Sequence, residues 1–326
     1  MNTLIRRTTW YGMEAWALEN ERLRLVVVPE MGAKMVSLAA RPDGPEWLAG
    51  PGSRPFQKVP YGAAFEKQDM SGWDEMFPTI TACEYPHPGD WFGRPLPDHG
   101  EVWALPWTVD QAAEGRLSMH VEGVALPYRL HRHAYFEAAD TLRLDYEAFN
   151  LGAEPMPYVW AAHPQFICGP EAEVRIPAGI SQVVNTLPAS WGWGEPETVL
   201  DWPEAAAGTG KVRLDRTGPP ALKRARKFFL PPGVRPSWTG LLRREQNDWL
   251  LLEWDPNQVP YLGVWVDEGA INEQSVAAPE PTTGYYDSLA LAYSKKQVTV
   301  IEPHGSASWS LTVRLGTAGE PFPELD

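Results

Sequence analysis

Thr141-Leu142-Arg143-Leu144-Asp145-Tyr146-Glu147-Ala148-Phe149 sets Leu142, Leu144, Tyr146 and Ala148 on one face of an extended chain, and Arg143, Asp145 and Glu147 on the other. Side chains alternate across a strand with a period of two, so this stretch predicts a half-buried β-strand. Comparable runs recur at 23–28, 34–38, 116–121, 128–136, 249–254, 261–266, 298–301 and 307–315. The 33 prolines and 28 glycines are spread along the chain and leave little room for long helices. Many short strands separated by turn signals predict an all-β protein, an antiparallel sandwich or barrel.

At 326 residues and 44% hydrophobic, the chain can bury a large core. No internal repeat, low-complexity tract or composition shift marks a linker, so a single domain over 1–326 is the simpler expectation. A formal net charge of -14 argues against nucleic acid as a partner, because that affinity depends on Lys and Arg neutralising phosphates. Two cysteines, Cys83 and Cys168, cannot build a disulfide framework. No apolar stretch approaches the roughly 18 residues of a membrane span. The N-terminal Arg6-Arg7 is followed by no apolar signal core. The expectation is a soluble, cytoplasmic protein with no membrane or nucleic-acid partner; whether it forms a homodimer is left open. Residues 41–100 break the strand pattern with ten prolines and eight glycines but keep Trp47, Trp73 and Trp91. Aromatic residues bury well, so this stretch reads as ordered loops packed over one end or face of the sheet and carrying part of a binding site. A second loop-rich stretch over 188–219 reads the same way.

Three short motifs carry polar residues suited to chemistry: Pro97-Asp98-His99-Gly100, His163-Pro164-Gln165-Phe166 after Trp160-Ala161-Ala162, and Pro279-Glu280-Pro281-Thr282-Thr283-Gly284. Each is flanked by Pro or Gly, which places it at a strand end or in a loop. Two imidazoles and a carboxylate are a set that can move one proton onto a small polar molecule and another off it.

In order and spacing these motifs resemble the aldose 1-epimerases of the galactose mutarotase-like superfamily. Residues 25–34 resemble the first strand–turn–strand of that superfamily, and 71–78 with Asp98-His99-Gly100 its first substrate-binding segments. The stretch from Asn150 through Phe166 resembles the central strand that ends in its catalytic histidine, and 280–284 its glutamate motif. The resemblance runs from about residue 20 to 315. It implies one large antiparallel β-sandwich, with long loops over a site that interconverts the anomers of a free sugar without metal or organic cofactor. His163 is then the general acid, Glu280 the general base, and His99 a substrate-binding or acid-assisting imidazole. One departure is plain: many relatives carry an arginine shortly after the His-Gly pair, where this chain has Glu101-Val102-Trp103. That speaks against a phosphorylated sugar.

The chemistry suits these residue types. Anomer exchange removes the O1 proton, breaks C1–O5 and protonates the ring oxygen; after rotation about C1–C2 the ring closes on the other face. A carboxylate fits the first task, and an imidazole with its ordinary pKa near about 6.5 fits the second. A bell-shaped pH profile is the expectation.

Other residues have two readings each. Trp73, Trp160 and Trp265 lie in or near the motifs and could stack on a sugar, or they could fill the sandwich core, the commoner use of large aromatics. Asp74 and Glu75 could accept sugar hydroxyls, although adjacent residues on a strand point opposite ways. Asp267 is a further hydroxyl acceptor or a solvated turn acid. His131 and His133, two apart on one strand face, have a metal-compatible spacing but no evident third ligand, so no metal is expected. Glu302 repeats the Glu-Pro pair without the Thr-Thr-Gly loop and reads as a turn residue. Besides the epimerase, two readings stay open: a non-catalytic carbohydrate-binding protein, and a glycoside-cleaving enzyme using Asp74 or Glu75 with Glu280.

Overall fold

The computed structural model describes residues 2–42, 44–208, 210–319 and 321–323. Two antiparallel sheets, of twelve and eight strands, carry most of them. Thr141–Asn150 lies inside the eight-stranded sheet, between Tyr128–Ala138 and Ser306–Thr317. Its Leu142, Leu144, Tyr146 and Ala148 are buried, while Arg143, Asp145 and Glu147 are half-buried on the outer face. The other expected strands form as well, with ends that agree to within about two residues. The hairpin Leu4–Trp10 and Met13–Glu19 was not foreseen: its strands alternate weakly, and it is set by Tyr11 and Gly12, both at positive φ.

The facing sides of the two sheets supply the main core. Leu130, Leu144, Leu311 and Val313 from the smaller sheet join Leu25, Val27, Trp73, Phe166 and Val264 from the larger. Each buried Leu or Val contributes about 1.5–3 kcal/mol against chain entropy. One polar group spans this interior. Glu75, fully buried, takes Arg132 Nη1 at 3.0 Å, Tyr146 OH at 2.8 Å and Trp160 Nε1 at 2.9 Å. Charge, hydroxyl and indole satisfy a carboxylate that would otherwise be very costly to bury. The group ties the strand Trp73–Met76 of one sheet to Tyr128–Ala138 and Thr141–Asn150 of the other.

Five neighbouring strands of the larger sheet build the platform for the site: Trp73–Met76, Ala161–Pro164, Ser275–Thr282, Tyr261–Glu268 and Arg224–Phe229. Glu280, expected at a strand end or in a loop, sits inside a strand two residues before its end, despite its flanking prolines. Proline cannot donate to a ladder. Ser275–Thr282 pairs continuously with Tyr261–Glu268, from Glu268↔Ser275 to Tyr261↔Thr282. On its other side it pairs only at Ala161↔Thr282, Phe166↔Ala277 and Ile167↔Val276. The interruption falls at Pro279, Pro281 and Pro164, so the prolines are accommodated where the two motif strands separate.

Residues 41–100 hold the strand Trp73–Met76 and otherwise short turns and bridges, which fold over the outer face of this platform. Among the described residues no helix is long and apolar enough to cross a membrane.

Candidate active site

Continuing the Ala161↔Thr282 register by two residues brings His163 opposite Glu280 on one face of the sheet. Their side chains meet, with His163 Nε2 3.6 Å from Glu280 Oε1. Both line a cavity of about 350 Å³ over the outer face of the larger sheet. Its polar wall is Asp98, His99, His163, Lys227, Glu280 and Asp287, and its apolar wall includes Phe65, Met70, Leu187, Trp191, Trp265 and Ile271. The three motifs therefore converge, although they lie far apart in the chain.

His99 reaches the cavity through an unusual backbone. It has φ +60° and Gly100 +73°, and a Cβ at Gly100 would lie 2.3 Å from the Phe77 carbonyl oxygen. Glycine is required there, because both the left-handed conformation and the close approach exclude a side chain. The His99 N–H donates to Ile80 O at 2.6 Å, and its Nδ1 lies 2.9 Å from Asp98 Oδ1. Asp98 also accepts the Phe65 N–H at 2.9 Å. The His99 ring stacks on Phe65 at 4.1 Å and meets the His163 ring edge-on at 5.0 Å. Phe65 in turn packs edge-on against His163 at 4.8 Å, so one aromatic ring holds both imidazoles.

Lys227, with Asp287 and Phe65, is among the site residues that sequence reading missed. Its Nζ lies 2.9 Å from Glu280 Oε2 and 3.1 Å from Asp287 Oδ1. Arg224–Phe229 pairs with Tyr261–Glu268 so that Lys227 stands opposite Trp265, on the cavity face. The only local signal was a lysine directly before Phe228-Phe229 in a strand that proves largely buried. Burial works against the Lys227 ammonium, but Asp287 and Glu280 outweigh it and hold its pKa above the ordinary range.

Burial dominates the two central groups and moves them in opposite directions. It raises the Glu280 carboxyl to about 7; Lys227 opposes that rise and Asp287 adds to it. It drives the His163 imidazole well below its ordinary value, helped by positive charge at His99, Lys227 and Lys34. Both disfavour the charged form, as expected of ionisable groups taken out of water. His163 is therefore neutral at neutral pH, whereas Glu280 titrates near neutrality, above the ordinary carboxylate range. His163 Nδ1 and both Glu280 oxygens are buried without an aligned hydrogen-bond partner. Glu280 Oε2 has the Lys227 ammonium at 2.9 Å, which leaves His163 Nδ1 and Glu280 Oε1 as the buried polar atoms of this pair that a ligand could complete.

Of the residues proposed from sequence to bind substrate, His99 and Trp265 line the cavity, and the others do not. Glu75 faces the interior between the sheets, as described above. Asp74 is the cross-strand neighbour of His163, yet it is 1% exposed and covered by Lys34, whose Nζ lies 3.1 Å from Asp74 Oδ2 and 2.8 Å from Asp69 Oδ2. Trp73 and Trp160 are buried in the core, Trp73 against Phe166, and Trp160 against Tyr146 and Trp309. Asp267 is neither a solvated acid nor a cavity residue. It is fully buried and accepts the backbone N–H groups of Ala270, Ile271 and Asn272, fixing the turn that presents Ile271 to the cavity. Glu101, in place of the arginine of many relatives, also points elsewhere, accepting from Tyr61 OH at 2.7 Å and from the Ala125 N–H at 2.6 Å. Glu302 is exposed in the turn before the last strand.

Comparisons with known proteins bear on the fold. The chain matches the aldose 1-epimerase family over residues 79–213. No curated protein sequence matches it. Among solved structures it is similar to Slr1438 from Synechocystis sp. PCC 6803, with 18% identity, TM-score 0.70, and 93% of this chain and 96% of that one covered. It is also similar to a galactose mutarotase-like protein from Lactobacillus casei, with 17% identity, TM-score 0.69 and coverage of 93% and 100%. A third is a galactose mutarotase-like protein from Clostridium acetobutylicum, with 16% identity, TM-score 0.68 and coverage of 97% and 99%. At such identities these likenesses carry the fold and not the activity. The chain thus shares the β-sandwich fold of galactose mutarotase-like proteins along nearly its whole length, and its residues 79–213 match the aldose 1-epimerase family.

Proposed function

We propose that the protein is a mutarotase that interconverts the anomers of a free, unphosphorylated sugar. The observation that carries this reading is the pairing of His163 with Glu280 in the wall of one cavity, with His163 Nδ1 and Glu280 Oε1 buried without a hydrogen-bond partner. Mere binding has no need of a matched acid and base. A volume of about 350 Å³ lies near the lower end of the ~300–1,000 Å³ range of small-molecule sites and suits one monosaccharide. Trp265, Trp191 and Phe65 offer flat apolar faces to sugar C–H groups.

In this reading the ionised Glu280 accepts the O1 proton as C1–O5 breaks, and His163 hydrogen-bonds the ring oxygen and delivers its proton. Closure reverses both transfers. A neutral imidazole can serve as such a donor in a dry site, where burial keeps it uncharged. Lys227 keeps enough of Glu280 ionised to act as base near neutrality. That cation is already neutralised by two carboxylates, with Asp98 and Glu66 also in the wall, so the cavity has no spare positive charge for a phosphate. The glycoside-cleaving alternative loses the partners expected for Glu280, since Asp74 and Glu75 are buried on Lys34 and Arg132.

NMR exchange or polarimetry across a panel of aldoses tests the proposal, comparing the native protein with Glu280→Gln and His163→Asn. A positioned acid or base typically contributes ~10²–10⁴-fold, so each variant is expected to lose about that much anomer exchange. Equal exchange in native protein and variants, on every aldose that binds, would remove the catalytic reading and leave carbohydrate binding.

A further inference from the structure

The outer face of the eight-stranded sheet carries a second constellation, unrelated to the cavity. His120 on Arg116–Glu122 and His131 on Tyr128–Ala138 are direct cross-strand partners, with their rings stacked at 5.3 Å. Beside them runs Thr108–Ala113, the terminal strand of this sheet. Its ladder with Arg116–Glu122 slips between Val109 and Gln111, so Asp110 is an extra residue. Bulges re-aim side chains, and this one turns a carboxylate onto the two imidazoles. Asp110 Oδ1 lies 2.7 Å from His120 Nδ1, and Oδ2 lies 3.9 Å from His131 Nδ1. One donor atom from each of the three residues falls within a sphere of contact no wider than 4.8 Å.

We propose that Asp110, His120 and His131 form a binding site for a divalent transition metal of the zinc class. Two donors on a tetrahedral zinc at about 2.0–2.1 Å lie roughly 3.4 Å apart. The 2.7 Å from His120 Nδ1 to Asp110 Oδ1 and the 3.9 Å from His131 Nδ1 to Asp110 Oδ2 lie on either side of that value, and one donor atom from each residue lies within 4.8 Å of the others. Two imidazoles and one carboxylate are too rich in nitrogen for Mg²⁺ or Ca²⁺, which take oxygen, and suit Zn²⁺, Cu²⁺ or Ni²⁺. Three protein donors match zinc sites that keep one position for another ligand. All three side chains are only partly buried, so an ion can reach them from solvent. The metal would clip the edge strand to the two strands inside it.

His133 provides the internal control. It shares the outer face with His131, but its Nδ1 lies 2.8 Å from Ser118 Oγ and it has no place in the cluster. The test uses tag-free, chelator-treated full-length protein. Zn²⁺ titration by calorimetry is expected to give one site per chain that raises the thermal midpoint. His120→Gln and His131→Gln should each weaken it by about tenfold or more, and His133→Gln should leave it unchanged. Circular dichroism of the metal-free variants reports whether each still folds. Co²⁺ absorption on the unmutated protein gives a second readout, expected to be intense and to be displaced by Zn²⁺, as four-coordinate nitrogen and oxygen ligation requires. Absence of Zn²⁺ binding, full affinity in His131→Gln, or an equal loss in His133→Gln would each overturn the proposal.

Discussion

Lys227→Met is the most informative single perturbation. The side chain keeps its bulk and loses the charge that lies 2.9 Å from Glu280 Oε2. With the charge centres about 4 Å apart and an effective dielectric near 20, that attraction is about 4 kcal/mol, or roughly 3 pKa units. Removing the buried ammonium also relaxes its surroundings, so the net shift expected is ~1–3 units. Glu280, now at about 7, then titrates well into the alkaline range. Activity that needs the ionised carboxylate falls ~10–1,000-fold at pH 7 and recovers as the pH is raised. The sign for stability is the opposite. A carboxyl raised above its unfolded value contributes stability that is full below that value, about 4.3, and is lost as pH rises toward the folded one, so the variant's Glu280 penalty should grow steadily above about pH 4–5. The assay is anomer exchange from pH 5 to 10, corrected for spontaneous mutarotation, with ¹³C NMR of the Glu280 carboxyl as a readout that needs no substrate. A Glu280 midpoint unchanged or lowered in Lys227→Met, or a fall in rate equal at every pH, would refute the electrostatic role.

In the unmutated protein the rate should rise through one limb with a midpoint of about 7, in place of the bell expected from ordinary values, because burial moves His163 far below that range; a pH–rate profile from 5 to 8 checks it. Glu75→Gln strips Arg132 of its buried counter-charge and should cost ~3–5 kcal/mol in urea unfolding, with little change in ligand affinity for the folded fraction, since Glu75 lies outside the cavity. Asp267→Ala leaves three buried N–H groups of the 270–272 turn without an acceptor. It should lower stability by a few kcal/mol and weaken sugar binding through Ile271, measurable by calorimetry. Phe65→Ala removes the ring that holds both imidazoles and should lower turnover more than affinity in steady-state kinetics.

The strands were legible because alternation is a local property: Leu142, Leu144 and Tyr146 face inward whatever the rest of the chain does. His99, His163 and Glu280 were legible because their Pro and Gly neighbours mark sites where the backbone must depart from a plain ladder, as the positive φ of His99 and the broken pairing at Pro279 and Pro281 show. Parity correctly assigned Asp74 and Glu75 to opposite faces, but it could not supply what covers either. Lys34 and Arg132 come from other strands, and each captures a carboxylate that the sequence offered to a ligand. Lys227 and the Asp110–His120–His131 cluster were hidden for the same reason. Pairing His131 with His133 along one strand misses His120, which a β-ladder sets directly across, and Asp110, which a bulge turns toward it. Which side of a strand a residue occupies follows from a period of two. Which residue it meets follows from register and strand order, set by the burial of a whole sheet against another, and only the folded chain holds that information.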